Sequence, residues 1–355
     1  MSEQQTFRKR MPRVLATAEE FGWRQLVGRL QVPALHERLQ ADPVHDVLVY
    51  EDVFASGRAG PLFGDLIALA DDDPTALDAV TGLVDAVCDD LIGAVATSGR
   101  TATLAECIPG LYADRIRPAG RIDTWWFDAD LTLATGGSQD LPAVRDLAGY
   151  TITVNGTRLP LDVPAAIHAC RTALNPAGRW STALTQGDAT EPNIVSTAAG
   201  ACWLDFEYLL WCLLALGGWL VPLHQRGTYV RTLRLHLPPT AAPFVQHAQV
   251  SARHRHLDLT YTWAAGPGRR AALTRLLDRL TGDLGAAAAL PASRELEALR
   301  PFLTARILGV IPPKALGDAE QLLVLAKLAE AQCLADQLVR TDPITVPTSA
   351  PLELL

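Results

Sequence analysis

Apolar side chains at Leu15, Phe21, Trp23, Leu26, Val27 and Leu30 fall close to helical spacing, so the first predicted element is an amphipathic helix over 14–30. Val32-Pro33 ends it, because a residue preceding proline is pushed out of the helical region. The run from Asp46 to Val53 (Asp-Val-Leu-Val-Tyr-Glu-Asp-Val) is short and rich in β-branched and aromatic residues, which predicts a strand. Ala55-Ser-Gly-Arg-Ala-Gly-Pro61 then reads as loop, making 54–61 the best internal boundary. Residues 62–148 are mostly helical in pattern. The alternation from Tyr150 to Leu161, centred on Asn155-Gly156, predicts a hairpin with a type I′ turn. A helix fits Val163 to Leu174, closed by Asn175-Pro176 and Gly178. Two short apolar runs follow, around Ala183-Leu184 and Cys202-Trp203-Leu204, each leading straight into polar residues. Further helices are expected at 208–220, 267–280, 295–308 and 317–340, and the last dozen residues, rich in Pro and Thr, are expected to fray.

Composition narrows the function classes. The chain has 355 residues with 39 acidic and 31 basic side chains, a formal charge of −8, which argues against a general nucleic-acid binder. At 49% hydrophobic and 20% charged, it has the apolar content to bury a core and is not dominated by disorder. The six cysteines are scattered without a C-x-x-C pair, and the apolar stretch 208–221 is too short for the ~20 residues a membrane span requires. A cytoplasmic chain with reduced thiols, no signal peptide and no membrane partner is the expectation. Charge is uneven: residues 54–150 hold 15 acids against 6 arginines, whereas 226–279 hold 9 arginines against 2 aspartates. Of the 31 basic residues 28 are arginine, so chemistry that needs a lysine has only Lys9, Lys314 and Lys327 to draw on.

The chemistry-bearing segment runs from Leu184 to Val195 (Leu-Thr-Gln-Gly-Asp-Ala-Thr-Glu-Pro-Asn-Ile-Val), followed after a turn by Ala201-Cys-Trp-Leu-Asp-Phe-Glu207. Phosphoryl transfer needs a carboxylate to orient the attacking hydroxyl and oxygen ligands for the Mg²⁺ that bridges the nucleotide phosphates. A loop supplying Asp188 and Asn193, hairpinned back to a strand end carrying Asp205, can bring all three to one point.

This arrangement resembles the catalytic loop and metal-binding turn of the protein-kinase-like fold, in its aminoglycoside phosphotransferase and choline kinase branch, where the patterns are H-G-D-x-x-x-x-N and D-x-E or D-x-D. The resemblance implies an α+β, two-lobed protein: a short, reduced N-lobe with its hinge strand at 1–53, and a large, mainly helical C-lobe at 54–355. It implies Asp188 as catalytic base, Asn193 and Asp205 as Mg²⁺ ligands, and Glu207 as support for the metal site. Gln186 stands where the family usually has histidine, a position that braces the loop. The strand before Val53 resembles the family's hinge, whose backbone would hold the nucleobase at Glu51, Asp52, Val53 and Phe54. The phosphate-binding lysine would be Lys9, if Phe7 to Met11 is a strand, with Glu19 or Glu20 as its helix partner; a solvated basic tail is the other reading of 1–12.

The implied activity is transfer of the γ-phosphate of ATP or GTP to a hydroxyl of an aminoglycoside-like or other small natural product, dependent on Mg²⁺. The departure is upstream: no glycine-rich hairpin is visible before the helix, whose Gly22 is the first glycine of the chain. A kinase-derived binding or regulatory protein, or a phosphotransferase truncated at its N-terminus, is therefore the alternative. Other candidates are weaker. Arg253-His-Arg-His256 interleaves cations and suits a solvated or acid-paired face better than a metal, and Trp125-Trp126 suits half core, half surface. A homodimer through the late helices would be compatible with the sequence but is not required by it.

Overall fold

The computed structural model describes residues 5–107, 115–127, 143–206, 210–212, 245–251, 253–261, 266–287, 300–309, 312–313 and 318–340. The architecture is mixed α+β with several small sheets. In chain order the first elements are β1 (Thr6–Pro12), α1 (Arg13–Leu26), β2 (Leu35–Gln40), β3 (His45–Glu51), β4 (Ala59–Leu62), α2 (Phe63–Asp72), α3 (Leu77–Ser98), β5 (Arg100–Thr103), α4 (Leu104–Cys107) and α5 (Arg121–Trp126). Next come β6 (Tyr150–Val154), β7 (Thr157–Leu161), α6 (Val163–Ala173), β8 (Arg179–Leu184), β9 (Ile194–Thr197), β10 (Gly200–Trp203), β11 (Leu210–Cys212), β12 (Val245–Ser251) and β13 (His256–Tyr261). Four helices follow: α7 (Pro267–Thr281), α8 (Asp283–Ala287), α9 (Arg300–Gly309) and α10 (Asp318–Arg340). Among the described residues, no helix is long and apolar enough to cross a membrane.

The chain divides into two compact units. The first joins residues 1–110, 179–219 and 266–292. Its N-terminal part is an antiparallel sheet in the order β1-β3-β2. The central strand β3 buries Leu48, Val49 and Tyr50, and α1 buries Ala16, Glu19, Gly22 and Leu26. The helix stops at Leu26, four residues before the expected end, and Gly28 then turns the chain at φ +82°. Arg38 pins α1 to the sheet: its guanidinium reaches Glu20 at 2.9 Å and Asp46 at 2.6 Å. A second sheet, β10-β9-β4, meets the segment after β3 through an apolar cluster of Val53, Val195 and Cys202, flanked by Ala59, Leu62 and Leu204. The 22-residue α3 packs on α7 through rows such as Val80, Val84, Val87 and Leu91 against Leu273, Leu276 and Leu280. Arg279 ties this pair together through Asp85, Asp89 and Asp283.

The third sheet of this unit, β11-β8-β5, corrects one expectation. The helix predicted at 208–220 is a strand where it is described, with Leu210 to Cys212 antiparallel to Leu184 to Thr182. A short apolar run has no period by which to choose helix over strand, and the free edge of β8 supplies backbone partners. The rest of 208–220 lies outside the described residues.

The second unit, 111–178, 220–265 and 293–355, is built on the four-stranded sheet β12-β13-β6-β7. Its hairpin turns where expected: Asn155 at φ +49° and Gly156 at φ +84° form the two left-handed positions between β6 and β7. Asp162 caps α6, its Oδ1 accepting from the Ala165 N–H at 2.8 Å. Trp126 is fully buried and donates from Nε1 to the Leu308 carbonyl, whereas Trp125 is half-buried under the Arg121 guanidinium. His256 lies between the Thr151 and Thr153 hydroxyls at 2.8 and 3.1 Å, and Arg255 covers the Tyr150 ring. Among the described residues, neither belongs to a group of His, Cys, Asp or Glu that could hold a metal.

Candidate active site

Every described residue of the site belongs to the first unit. Phe7 to Met11 is a strand, as one of the two readings required, and its alternation puts Phe7, Lys9 and Met11 on one face. Lys9 lies opposite Leu48 in the register, and its Nζ meets two carboxylates: Glu19 Oε2 at 2.6 Å and Asp205 Oδ1 at 2.5 Å. Glu19, on the inner face of α1, is 1% exposed and also accepts from the Tyr50 hydroxyl at 3.1 Å. Glu20 is one helical position further round and points away. It pairs with Arg24 and Arg38, so Glu19, not Glu20, is the partner of Lys9.

Charge here is tightly balanced. Burial alone would lower the Lys9 pKa, but Asp205 and Glu19 outweigh it and raise it. Burial raises the carboxyl of Glu19 as well, against the pull of Lys9, because that one cation is shared with Asp205. Burial and the neighbouring Glu19 hold the Tyr50 hydroxyl protonated, so it acts as a donor.

The loop and the turn are built as one piece. Asn193 immediately precedes β9 and Asp205 lies two residues past the end of β10, so both lie at the open end of the same hairpin. The Leu204 N–H donates to the Asn193 carbonyl at 2.9 Å. Asn193 Nδ2 donates to the Asp188 carbonyl at 2.9 Å and approaches Asp188 Oδ2 at 3.4 Å. Asp205 takes φ +66°, a left-handed conformation in which aspartate is among the few tolerated side chains. Gln186, fully buried, spans loop and turn: its Nε2 donates to the Leu204 and Asp205 carbonyls at 2.8 and 2.5 Å, and its Oε1 accepts from the Asp188 N–H at 2.8 Å. Three more supports carry no signal in the sequence. Trp203 Nε1 donates to Asp90 on α3 at 2.7 Å, Arg269 on α7 grips Glu191 in the loop, and the Trp203 N–H donates to the Gln31 carbonyl at 2.9 Å.

The hinge-like stretch is a tight turn. Asp52 donates its N–H to Gln5 and caps Phe54 and Ala55 with its side chain, while the Val53 carbonyl accepts from Ala59. Among the described residues, no hydrogen bond uses the Val53 N–H. The Glu51 carboxylate is held by Arg58 at 2.7 Å and also accepts from the Ala34 N–H at 3.4 Å.

The donor set suits a hard cation. With Nδ2 of Asn193 committed to Asp188, the amide presents Oδ1, and Asp205 adds carboxylate oxygens. Among the described residues no group of three or more His, Cys, Asp or Glu could hold a metal. Glu207, the expected third support, lies outside the described residues.

No known protein family matches this chain, and no curated protein sequence matches it.

Proposed function

We propose that the chain is a small-molecule kinase of the protein-kinase-like fold, in the aminoglycoside phosphotransferase and choline kinase branch, with residues 1–53 as a reduced N-lobe. The observation that carries this reading is Lys9 Nζ held between Glu19 and Asp205, a contact that spans 196 residues of sequence. A strand lysine, a helix glutamate and the aspartate of a metal turn are the groups that must come together for phosphoryl transfer from ATP or GTP.

In this reading Lys9 binds the α- and β-phosphates and Glu19 keeps it charged and aimed. Asn193 and Asp205 would hold Mg²⁺, which when bound would supply positive charge to neutralise the transferring group. Asp188 accepts the hydrogen bond of the acceptor hydroxyl and takes its proton as oxygen attacks the γ-phosphorus and the bond to the bridging oxygen of ADP breaks. Gln186 holds the base and the metal ligand in register, so most of the acceleration would come from positioning. The Val53 N–H, which takes part in no hydrogen bond among the described residues, suits a ring nitrogen of the nucleobase, beside the apolar cluster of Val53, Val195 and Cys202. A hydroxylated small molecule is the acceptor class.

The test is calorimetry with ATP and GTP, with and without Mg²⁺, on the wild type and on Asp205→Ala. Mg²⁺-dependent binding that disappears in the variant is the expected result. Asp188→Asn should abolish turnover while nucleotide still binds; undiminished turnover removes the proposed base. The runner-up, a kinase-derived binding protein, is favoured by one feature: among the described residues β1 pairs with β3 alone, so none of them forms a hairpin on its outer edge. Nucleotide binding without any transfer to a panel of aminosugars and nucleosides would select it.

A further inference from the structure

We propose that Gly22 is a positioning residue, which lets α1 lie directly on the turn that carries Asp205 and so keeps Lys9 in reach of both its carboxylates. The proposal rests on the reading of this site as a phosphoryl-transfer centre. A Cβ added at Gly22 would stand 1.7 Å from the carbonyl oxygen of Phe206 and 2.8 Å from its carbonyl carbon. Both are backbone atoms, so no side-chain rotation relieves the clash. A methyl carbon normally comes no closer to a carbonyl oxygen than about 3.3 Å, so helix or turn would have to yield by about 1.5 Å. The glycines of α3 are a contrast: Gly82 and Gly93 are exposed and would meet nothing within 4 Å. Glycine inside a helix weakens it, and here the cost coincides with the closest approach of the helix to the site.

The contact closes a ring. Glu19 lies one turn before Gly22 on the same buried face of α1 and binds Lys9, which binds Asp205. Phe206, next in sequence, is buried with its ring 6.2 Å from that of Tyr50, whose hydroxyl returns to Glu19. The helix therefore reaches the turn in two ways, through the charge bridge of Lys9 from Glu19 to Asp205 and through bare backbone at Gly22. Two ion pairs of 2.5 and 2.6 Å cannot both survive a shift of the size a methyl group demands. The left-handed backbone of Asp205 is held on one side by Gln186 and on the other by this contact.

The experiment is competitive acylation of the full chain with an acetyl ester, read by mass spectrometry, on wild type, Gly22→Ala, Gly82→Ala and Gly93→Ala. With only Lys9, Lys314 and Lys327 present, each site is read separately. Lys9 should react several-fold faster in Gly22→Ala relative to Lys314, with a cooperative melt retained, and should not change in the α3 variants. Unchanged Lys9 reactivity in a folded Gly22→Ala overturns the proposal. The same proteins are then titrated with ATP with and without Mg²⁺. Gly22→Ala should lose the Mg²⁺-dependent gain in affinity, while metal-free binding stays near wild type; retention of that gain also overturns the proposal. A wild type that shows no such gain refutes the phosphoryl-transfer reading, and the acylation arm then still decides whether Gly22 positions the turn. If Gly22→Ala does not fold, hydrogen exchange on the wild type decides: the amides of Gly22 to Leu26 and those of Trp203 and Leu204 should open together, and independent opening refutes the coupling.

Discussion

Replacing Lys9 by methionine isolates what the central ion pair contributes. The Glu19 carboxylate is 1% exposed, and after the substitution the Tyr50 hydroxyl would be its remaining partner among the described residues. Removing one member of a buried pair costs about 3–5 kcal/mol, because the other charge is left uncompensated. Lys9 itself is 29% exposed and the tyrosine bond remains, so the low end, about 3 kcal/mol, is expected. The second arm adds little to stability, since Asp205 is 35% exposed and water screens it. Lys9→Met/Glu19→Gln removes the stranded charge and should recover about 2 kcal/mol, a coupling in the range found for contacting residues. The assay is urea unfolding of the four proteins of the cycle, followed by tryptophan fluorescence. For a slope of about 2 kcal/mol per molar, the single substitution moves the midpoint of the first unit down by about 1.5 M. The pH dependence carries a sign. The folded-state pKa of Lys9 is raised, so its contribution is complete below 10.5 and is lost as pH rises through the folded value. Wild type should show that alkaline loss and Lys9→Met should not. A single substitution costing under about 0.5 kcal/mol, or a double equal to the sum of the singles, would refute the reasoning.

Three further outcomes are expected. Gln186→Glu places a carboxylate against the Leu204 and Asp205 carbonyls and should cost about 3 kcal/mol along with Mg²⁺-dependent nucleotide binding, whereas Gln186→His, which keeps a donor, should retain both in part; thermal melts and calorimetry read the difference. Burial holds the Asp90 carboxyl above its ordinary value, against the Trp203 bond, so its contribution is complete below 3.8 and is lost as pH rises through the folded value. Asp90→Asn should therefore gain stability relative to wild type between pH 3.5 and 8, and a flat difference across that range would contradict the assignment. Asn155→Ala should cost about 2 kcal/mol by chemical denaturation, from a left-handed backbone at φ +49° and a lost acceptor for the Tyr261 N–H, while Asn155→Gly, which relieves the backbone, should cost about half as much.

Local signals proved readable where the chain decides its own conformation. The Asn155-Gly156 turn, the strand ending at Glu51 and the helices at 163–173, 267–281, 300–309 and 318–340 all lie within a few residues of where periodicity and breakers put them. The turn and the helices rest on contacts between near neighbours, whereas the strand, though legible, pairs with β1. The strand at 210–212 was not readable, because its conformation depends on the edge of β8. Nor was the choice between Glu19 and Glu20. Both are acids on one helix, and only the rotation of α1 against β3 turns one to Lys9 and the other to Arg38.

By itself, the amino-acid sequence determined the types of several elements, the lysine scarcity that singles out Lys9, and the Asp188, Asn193 and Asp205 spacing on a loop and a hairpin. Tertiary structure alone decided that Lys9 spans to Asp205, that Gln186 joins loop to turn, and that Gly22 leaves room for the Phe206 carbonyl. The physical reason is range. Propensity and periodicity act over a few residues, whereas these contacts join groups up to 196 positions apart, and their geometry is set by how α1, β1 and the β9–β10 hairpin pack.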